Sequence, residues 1–212
     1  MGLPLGDLDA ATTALPGTIV RILSDAGIQA VPTGIEHGTV TAVLPSRTIE
    51  ITTLRKDEAC DGRRAKVSYT DNWKEDAARR DFTVNALYLD HEGTIHDYFG
   101  GRNDLKKQVI RFIGDADTRI KEDYLRVLRF FRFLATHSNA PADEAAMQAC
   151  SLAKDQLGGL SGERIQKEML KLLAAKNPLY ALQCMEESGV LTSLAGNYGE
   201  LNVISKLIAL EE

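Results

Sequence analysis

Two carboxylates one residue apart, Asp7 and Asp9 in Asp7-Leu8-Asp9, stand near the start of the chain. In an extended strand the period of two sends both to one face and Leu8 to the other. Two such anions ~4 Å apart repel by about 4 kcal/mol at an effective dielectric near ~20, so the pair is at ease only in open water or around a cation. Oxygen ligands of this kind suit Mg²⁺, which also takes oxygens from a nucleotide's phosphates. An acidic turn is the plainer alternative. Glu50, at the head of Glu50-Ile51-Thr52-Thr53-Leu54-Arg55, adds a third carboxylate on another predicted strand. Three carboxylates on neighbouring strands can hold two metals for an in-line displacement at phosphorus. An edge-strand charge is the alternative for Glu50.

A second constellation is the run Arg79-Arg80-Asp81-Phe82-Thr83-Val84-Asn85, where two guanidinium groups, a carboxylate, a hydroxyl and an amide occupy seven consecutive positions. Arg suits phosphate oxygens, Asp a sugar hydroxyl and Asn a further polar contact. The blander alternative is a polar helix start anchored by Phe82, Val84 and Leu87. A third is Glu122-Asp123-Tyr124-Leu125-Arg126-Val127-Leu128-Arg129. On a helix, Asp123 and Arg126 project from one face and offer an acceptor and a donor fork to the Watson–Crick edge of a base. An i,i+3 ion pair worth a few tenths of a kcal/mol, roughly, is the competing reading. Other signals fail. Gly158-Gly159-Leu160-Ser161-Gly162 follows no strand, so it reads as a turn into a helix. No Walker A lysine motif is present, and His37, His91, His96 and His137 lack metal spacing. Trp73 and Phe130, Phe131 and Phe133 read as packing.

The elements that must position these groups change in kind along the chain. Leu5 to Ala10 reads as a strand, and Thr12 or Thr13 as the cap of a helix running to Ala26 and stopped by Gly27. Val40–Leu44 and Thr48–Leu54 are β-branched runs around Pro45-Ser46-Arg47, a hairpin signal. Lys56 to Asp76 is polar and weakly periodic, and reads as a mobile surface loop. A helix from about Trp73 to Asn85 is expected next, then a hairpin of Ala86–Leu89 and Thr94–Tyr98. After Gly100-Gly101 only helices follow: Thr118–Ala135, Ala142–Ala153, one capped by Ser161, Lys176–Gly189 and Leu201–Leu210. The pattern is α+β and then all-α.

At 212 residues and 23.2 kDa, the chain can bury roughly 70% of its unfolded surface without staples. Cys60, Cys150 and Cys184 form no CxxC pair, which fits a reducing cytoplasm. No apolar run nears the roughly 20 residues of a membrane span. The net charge of −5 gives no global hint of nucleic acid. Locally the balance reverses. Gly101 to Phe133 holds nine cations (Arg102, Lys106, Lys107, Arg111, Arg119, Lys121, Arg126, Arg129, Arg132) against five acidic residues, a candidate phosphate-facing surface.

Asp-x-Asp, Glu-x-Thr-Thr-x-Arg, Arg-Arg-Asp-Phe-Thr-x-Asn-Ala and Glu-Asp-x-x-Arg succeed one another in the order found in a known family. Over essentially its whole length, including Thr33–Val40 and Glu163-Arg164-Ile165, the chain resembles bacterial tRNA nucleotidyltransferases of the type that shares ancestry with poly(A) polymerases. The resemblance implies a polymerase-beta-like nucleotidyltransferase head over residues 1–116. A helical neck for base recognition would span 117–175, and the start of a helical body 176–212. It implies addition of CCA to the 3′ end of tRNA from CTP and ATP. Poly(A) addition is the nearest alternative, and a non-catalytic nucleotide- or RNA-binding fragment the alternative of another class. Asp7 and Asp9 would bind catalytic Mg²⁺, with Glu50 as the third carboxylate. Arg80, Asp81, Asn85, Asp123, Arg126 and Arg129 would bind nucleotide, Asp81 at the ribose and Asp123 and Arg126 as the amino-acid template for C and then A. Lys56–Asp76 would be the flexible loop used in switching bases, and Glu163 and Arg164 would brace the neck. The family opens with a further strand and a Gly-Gly-x-Val-Arg-Asp turn and continues into more helices. The chain is therefore expected to correspond to a part truncated at both ends.

Overall fold

The computed structural model describes residues 8–57, 67–176, 178–196 and 201. The chain divides into two compact units, Met1–Arg79 and Arg80–Glu212.

The first unit is built on β1 (Leu8–Thr12), α1 (Pro16–Asp25), β2 (Gln29–Gly34), β3 (Thr39–Leu44) and β4 (Arg47–Thr53). The sheet order is β1-β4-β3-β2. β1 runs parallel to β4, and β3 lies antiparallel to both β4 and β2. The expected hairpin forms, with Leu44 paired to Arg47 across Pro45-Ser46. α1 buries Ile19 and Leu23 against Val40 and Ala42, with Ile49 and Ile51 packed at the side. Neither threonine caps it. Thr12 belongs to β1, and its hydroxyl accepts from the Ala14 amide. The helix instead opens at Pro16, whose missing N–H and fixed φ suit the first helical position. Gly27, at φ 70°, ends it as expected.

The segment read as a loop from Lys56 to Asp76 is more regular than expected. Its ends form β5 (Arg55–Asp57) and β6 (Val67–Tyr69), paired antiparallel, and α2 (Trp73–Ala78) opens inside it. Residues 58–66, Cys60 among them, lie outside the described residues. Asn72 caps α2, its side-chain oxygen accepting from Lys74 N at 3.0 Å. α2 stops at Ala78 rather than Asn85. Phe82 instead forms an isolated antiparallel bridge with Phe112, through Thr83 N to Arg111 O and Ile113 N to Asp81 O, both 3.0 Å. Long-range pairing has overridden a locally helical pattern.

The second unit begins with that bridge and a 3₁₀ turn, Thr83–Asn85. β7 (Leu87–Leu89) and β8 (Ile95–Asp97) form the expected hairpin. Seven helices follow among the described residues: α3 (Gly101–Lys107), α4 (Ala116–Glu122), α5 (Leu125–His137), α6 (Glu144–Ala153), α7 (Gly162–Leu173), α8 (Leu179–Glu187) and α9 (Val190–Ala195). The single helix expected over Thr118–Ala135 is two. Asp123 is extended (φ −155°, ψ 107°) and ends α4, while its side chain accepts from Leu125 N at 3.1 Å to start α5. The apolar stripe keeps phase across the break because Ile120, Leu128 and Phe131 enter one core. The expected Lys176–Gly189 helix is α8, and α9 continues beyond Gly189. Ser161 caps α7 as expected. The helix expected over Leu201–Leu210 falls outside the described residues, Leu201 excepted. Phe82, Phe130 and Phe131 are fully buried, and Phe133 packs against them, so these rings are core. Among the described residues no helix is long and apolar enough to cross a membrane.

Candidate functional site

In the first unit, Asp9 and Glu50 are register partners on the parallel strands β1 and β4. Laterally paired residues share a face. Ile49 and Ile51 turn to the α1 side, so Glu50 and Asp9 occupy the opposite, open face. Thr41, the partner of Glu50 on β3, extends the row and hydrogen-bonds Thr33 at 2.7 Å. Both carboxylates are exposed. Among the described residues no cation pairs with either. Asp7 lies outside the described residues. No three metal-ligating side chains converge among the described residues. The donor chemistry still fits a hard divalent ion, since two adjacent anions with no counter-charge favour a cation between them. An open polar depression of about 540 Å³ lies elsewhere in this unit, lined by Thr13, Lys56, Tyr69 and Asn72 among others, and includes neither carboxylate.

Arg79 and Arg80 part company at the boundary. Arg79 closes on buried Asp76 within the first unit, with Nη2 at 2.8 Å from Oδ1. Asp76 also accepts from Arg55 N at 3.1 Å, tying the Glu-x-Thr-Thr-x-Arg strand end to α2. Arg80 belongs to the second unit, where its Nη1 donates to Asn85 O at 3.0 Å and its guanidinium lies 4.9 Å from the Tyr88 ring centroid.

Asp81 is held through both of its carboxylate oxygens. It is 6% exposed. Oδ1 accepts from Phe82 N (2.9 Å) and Asn85 Nδ2 (3.0 Å), and Oδ2 from Arg129 Nε (2.7 Å) and Nη2 (2.6 Å). Burial alone pushes this carboxyl up. The Arg129 charge, with hydrogen bonds from Asn85, Arg129 and Phe82, outweighs burial and holds it below its ordinary range. Asp81, Asn85 and Arg129 thus form one unit, although Arg129 is 48 residues away on α5.

Asp123 and Arg126 are near in sequence but engage different partners. Asp123 Oδ2 accepts from Arg164 Nη2 on α7 at 2.8 Å. Arg126 Nη1 donates to the carboxylate of Glu122 and to Arg119 O at 2.6 Å. Glu122 also takes Nη1 of Arg119, whose Nη2 reaches Arg80 O at 2.7 Å. A chain of guanidinium and carboxylate groups therefore runs from the Arg80 backbone to Arg126. Sequence reasoning missed Arg119 and Glu122 as its joints. A signal existed for one joint: Arg119 stands three residues before Glu122 on α4, a spacing that brings helical side chains together, whereas Glu122 and Arg126 meet across the break at Asp123. The thiol of Cys150, by contrast, is buried and pushed up by burial, so it is packing.

A mixed sheet with register-paired carboxylates on its open face, continued by a helical array, defines a polymerase-beta-like nucleotidyltransferase head with a helical neck. The chain belongs to the Poly A polymerase head domain family, whose model matches residues 1–111. A second model, described as a probable RNA and SrmB-binding site of polymerase A, matches residues 142–195. The chain is 40% identical to CCA tRNA nucleotidyltransferase 1, mitochondrial, of Mus musculus over 97% of its own length and 49% of that protein's. It is 37% identical to the CCA-adding enzyme of Geobacillus stearothermophilus, over 94% of this chain and 49% of that one. Among solved structures, the Bacillus stearothermophilus CCA-adding enzyme in complex with CTP superposes with a TM-score of 0.82 at 35% identity. That match covers 98% of this chain and 49% of the other. A tRNA nucleotidyltransferase complexed with a primer tRNA and an incoming ATP analog gives 0.76 at 26% identity, over 99% of this chain and 60% of that one. The chain spans about half the length of the curated relatives it matches.

Proposed function

We propose that this chain carries the catalytic head and base-reading neck of an enzyme that adds C, C and A to the 3′ end of tRNA from CTP and ATP. The observation that carries the reading is the register pairing of Asp9 with Glu50 on an open sheet face. The primer's 3′-hydroxyl attacks the α-phosphorus of the incoming nucleotide, a P–O bond forms, and pyrophosphate leaves with the electron pair of the bond that breaks. Asp7, Asp9 and Glu50 would hold Mg²⁺, which when bound neutralises triphosphate charge and lowers the pKa of the attacking hydroxyl.

The neck, residues 117–175, would read the base. Cytosine and adenine both carry an exocyclic amine that a carboxylate can accept from, and Asp123 is that acceptor in this reading. Arg126 supplies the donor, held by Glu122 and the Arg119 carbonyl. Arg80, Asp81, Asn85 and Arg129 would contact the sugar and phosphates of the nucleotide. The CCA reading is favoured over poly(A) addition by likeness to a CCA-adding enzyme solved with CTP. The family description keeps poly(A) addition as the second reading.

The test incubates the chain with Mg²⁺, a tRNA lacking its terminal CCA, and labelled CTP and ATP, separately and together. Ordered addition of two C and one A is the expected result. Repeated addition of A without C would establish the poly(A) reading instead. No incorporation, with activity restored by a preceding Gly-Gly-x-Val-Arg-Asp segment, would make the chain an inactive part of that enzyme.

A further inference from the structure

The nine cations between Gly101 and Phe133 are not equivalent in the folded chain. Arg111, Arg119, Lys121, Arg126, Arg129 and Arg132 each face a carboxylate. Arg102, Lys106 and Lys107 have no such partner among the described residues, and all three are exposed on α3. Helical spacing puts Arg102 and Lys106 on one line, and Lys107 projects roughly 100° further round, still on the exposed side. Asp104, the acidic residue of α3, is turned inward, where it accepts from Thr83 Oγ1 at 2.7 Å.

Helix stability explains only part of this charge. Lys106 and Lys107 lie in the last turn, where the macrodipole favours cations. Arg102 lies in the first turn, where it is disfavoured. The helix start is instead stabilised by Asp97, whose carboxylate accepts from Gly101 N at 2.9 Å and Arg102 N at 3.0 Å. The cationic face is also fixed in place. A Cβ on Gly101 would stand 2.1 Å from the Thr83 carbonyl oxygen, so α3 sits directly on the turn that follows Arg80 and Asp81.

We infer that the exposed face of α3 is a docking surface for the phosphate backbone of an RNA, with Arg102, Lys106 and Lys107 as its contacts. This rests on the proposed RNA-directed reaction and goes beyond it by naming a surface outside the nucleotide-binding residues. A polyanion matches an unpaired cationic ridge on a chain whose net charge is −5. The helix that carries the ridge is already formed and seated on the Thr83 turn, so no ordering of the helix accompanies binding.

The experiment measures binding of an RNA hairpin of acceptor-stem length by fluorescence anisotropy, over a series of salt concentrations and without nucleotide. The triple variant R102A/K106A/K107A is compared with wild type and with R21A/R47A/K74A, which removes equal charge from the first unit. Neutralising three phosphate contacts is expected to weaken binding at least about tenfold at low salt and to flatten the log–log salt slope by about two to three. The control should keep the wild-type slope. An unchanged slope in the α3 variant, an equal loss in the control, or no binding by wild type would overturn the surface. CTP binding, measured separately, should be unaffected, so failure of the surface is distinguishable from failure of the transferase reading. A thermal melt matching wild type establishes that the variant is folded.

Discussion

In the first unit Asp9 and Glu50 stand exposed and side by side with no counter-charge among the described residues, whereas in the second unit Asp81 is buried beneath four donors. The two arrangements leave their carboxylates in opposite states, one turned to solvent and one committed to protein donors. An exposed pair without a counter-charge is held by water in the resting protein, and both carboxylates stay available to a cation. A saturated carboxylate holds Arg129 and Asn85 in one geometry in the resting protein, which in the proposed reading would preorganise them for the nucleotide. The same residue type thus stands without a protein partner in one place, among the described residues, and is tied to three other residues in the other.

Replacing Asp9 breaks the comparison most sharply. If Asp9 holds Mg²⁺ as proposed, Asp9→Ala is expected to remove CTP addition, a loss on the order of a thousandfold or more, because metal-assisted catalysis would lose a ligand. The melting temperature should hold or rise slightly, since a like-charge repulsion disappears. Labelled-CTP incorporation and a thermal melt check both halves. Retained turnover would remove Asp9 from the metal site, and a large loss of stability would show that the pair is structural after all.

Asp81→Ala is the opposite case. It leaves Arg129, the Asn85 amide and the Phe82 N–H without their acceptor, and unfolding in urea should show a loss of about 2–4 kcal/mol. The pH dependence has a definite sign. The carboxyl is held below its ordinary range in the fold, so the unfolded chain takes up the proton first as pH falls. Its contribution is complete above about pH 3.9 and is lost as pH falls from there through the folded value. Urea unfolding at pH 5 and pH 3 should show that decline in wild type and less of it in Asp81→Asn.

How much of this was legible in the chain depends on how far apart the partners are. The β3–β4 hairpin was readable because the β-branched runs directly flank Pro45-Ser46 in sequence. The Asp9–Glu50 pairing was readable in kind, since period two sets the face, but its register needed the parallel contact between strands far apart in sequence. Thr12 and Thr13 misled because a capping residue type is no guarantee of a cap when Pro16 can start the helix itself. The break at Asp123 was hidden by an apolar stripe that stays in phase on both sides. The closing of Asp81 upon Arg129 was invisible, because no local pattern encodes a contact across 48 residues.

The Asp123–Arg164 pair gives the smallest expected effect and the finest test. It resembles Asp81–Arg129 in chemistry, with an N···O distance of 2.8 Å, but its side chains are 37% and 48% exposed. Water already solvates both charges, so Arg164→Ala should cost no more than about 1 kcal/mol in urea unfolding. Asp123 keeps its bond from Leu125 N, at 3.1 Å, and with it the start of α5. What the variant frees is the second carboxylate oxygen, the one aimed at α7. If stability falls by several kcal/mol instead, exposure is not what separates the two pairs, and the tie between the α4–α5 corner and α7 carries the neck. If stability holds while preference for CTP over UTP declines, Arg164 acts through the orientation of Asp123. Asp123 then combines the two behaviours kept apart elsewhere, one oxygen committed to the scaffold and the other open to a ligand.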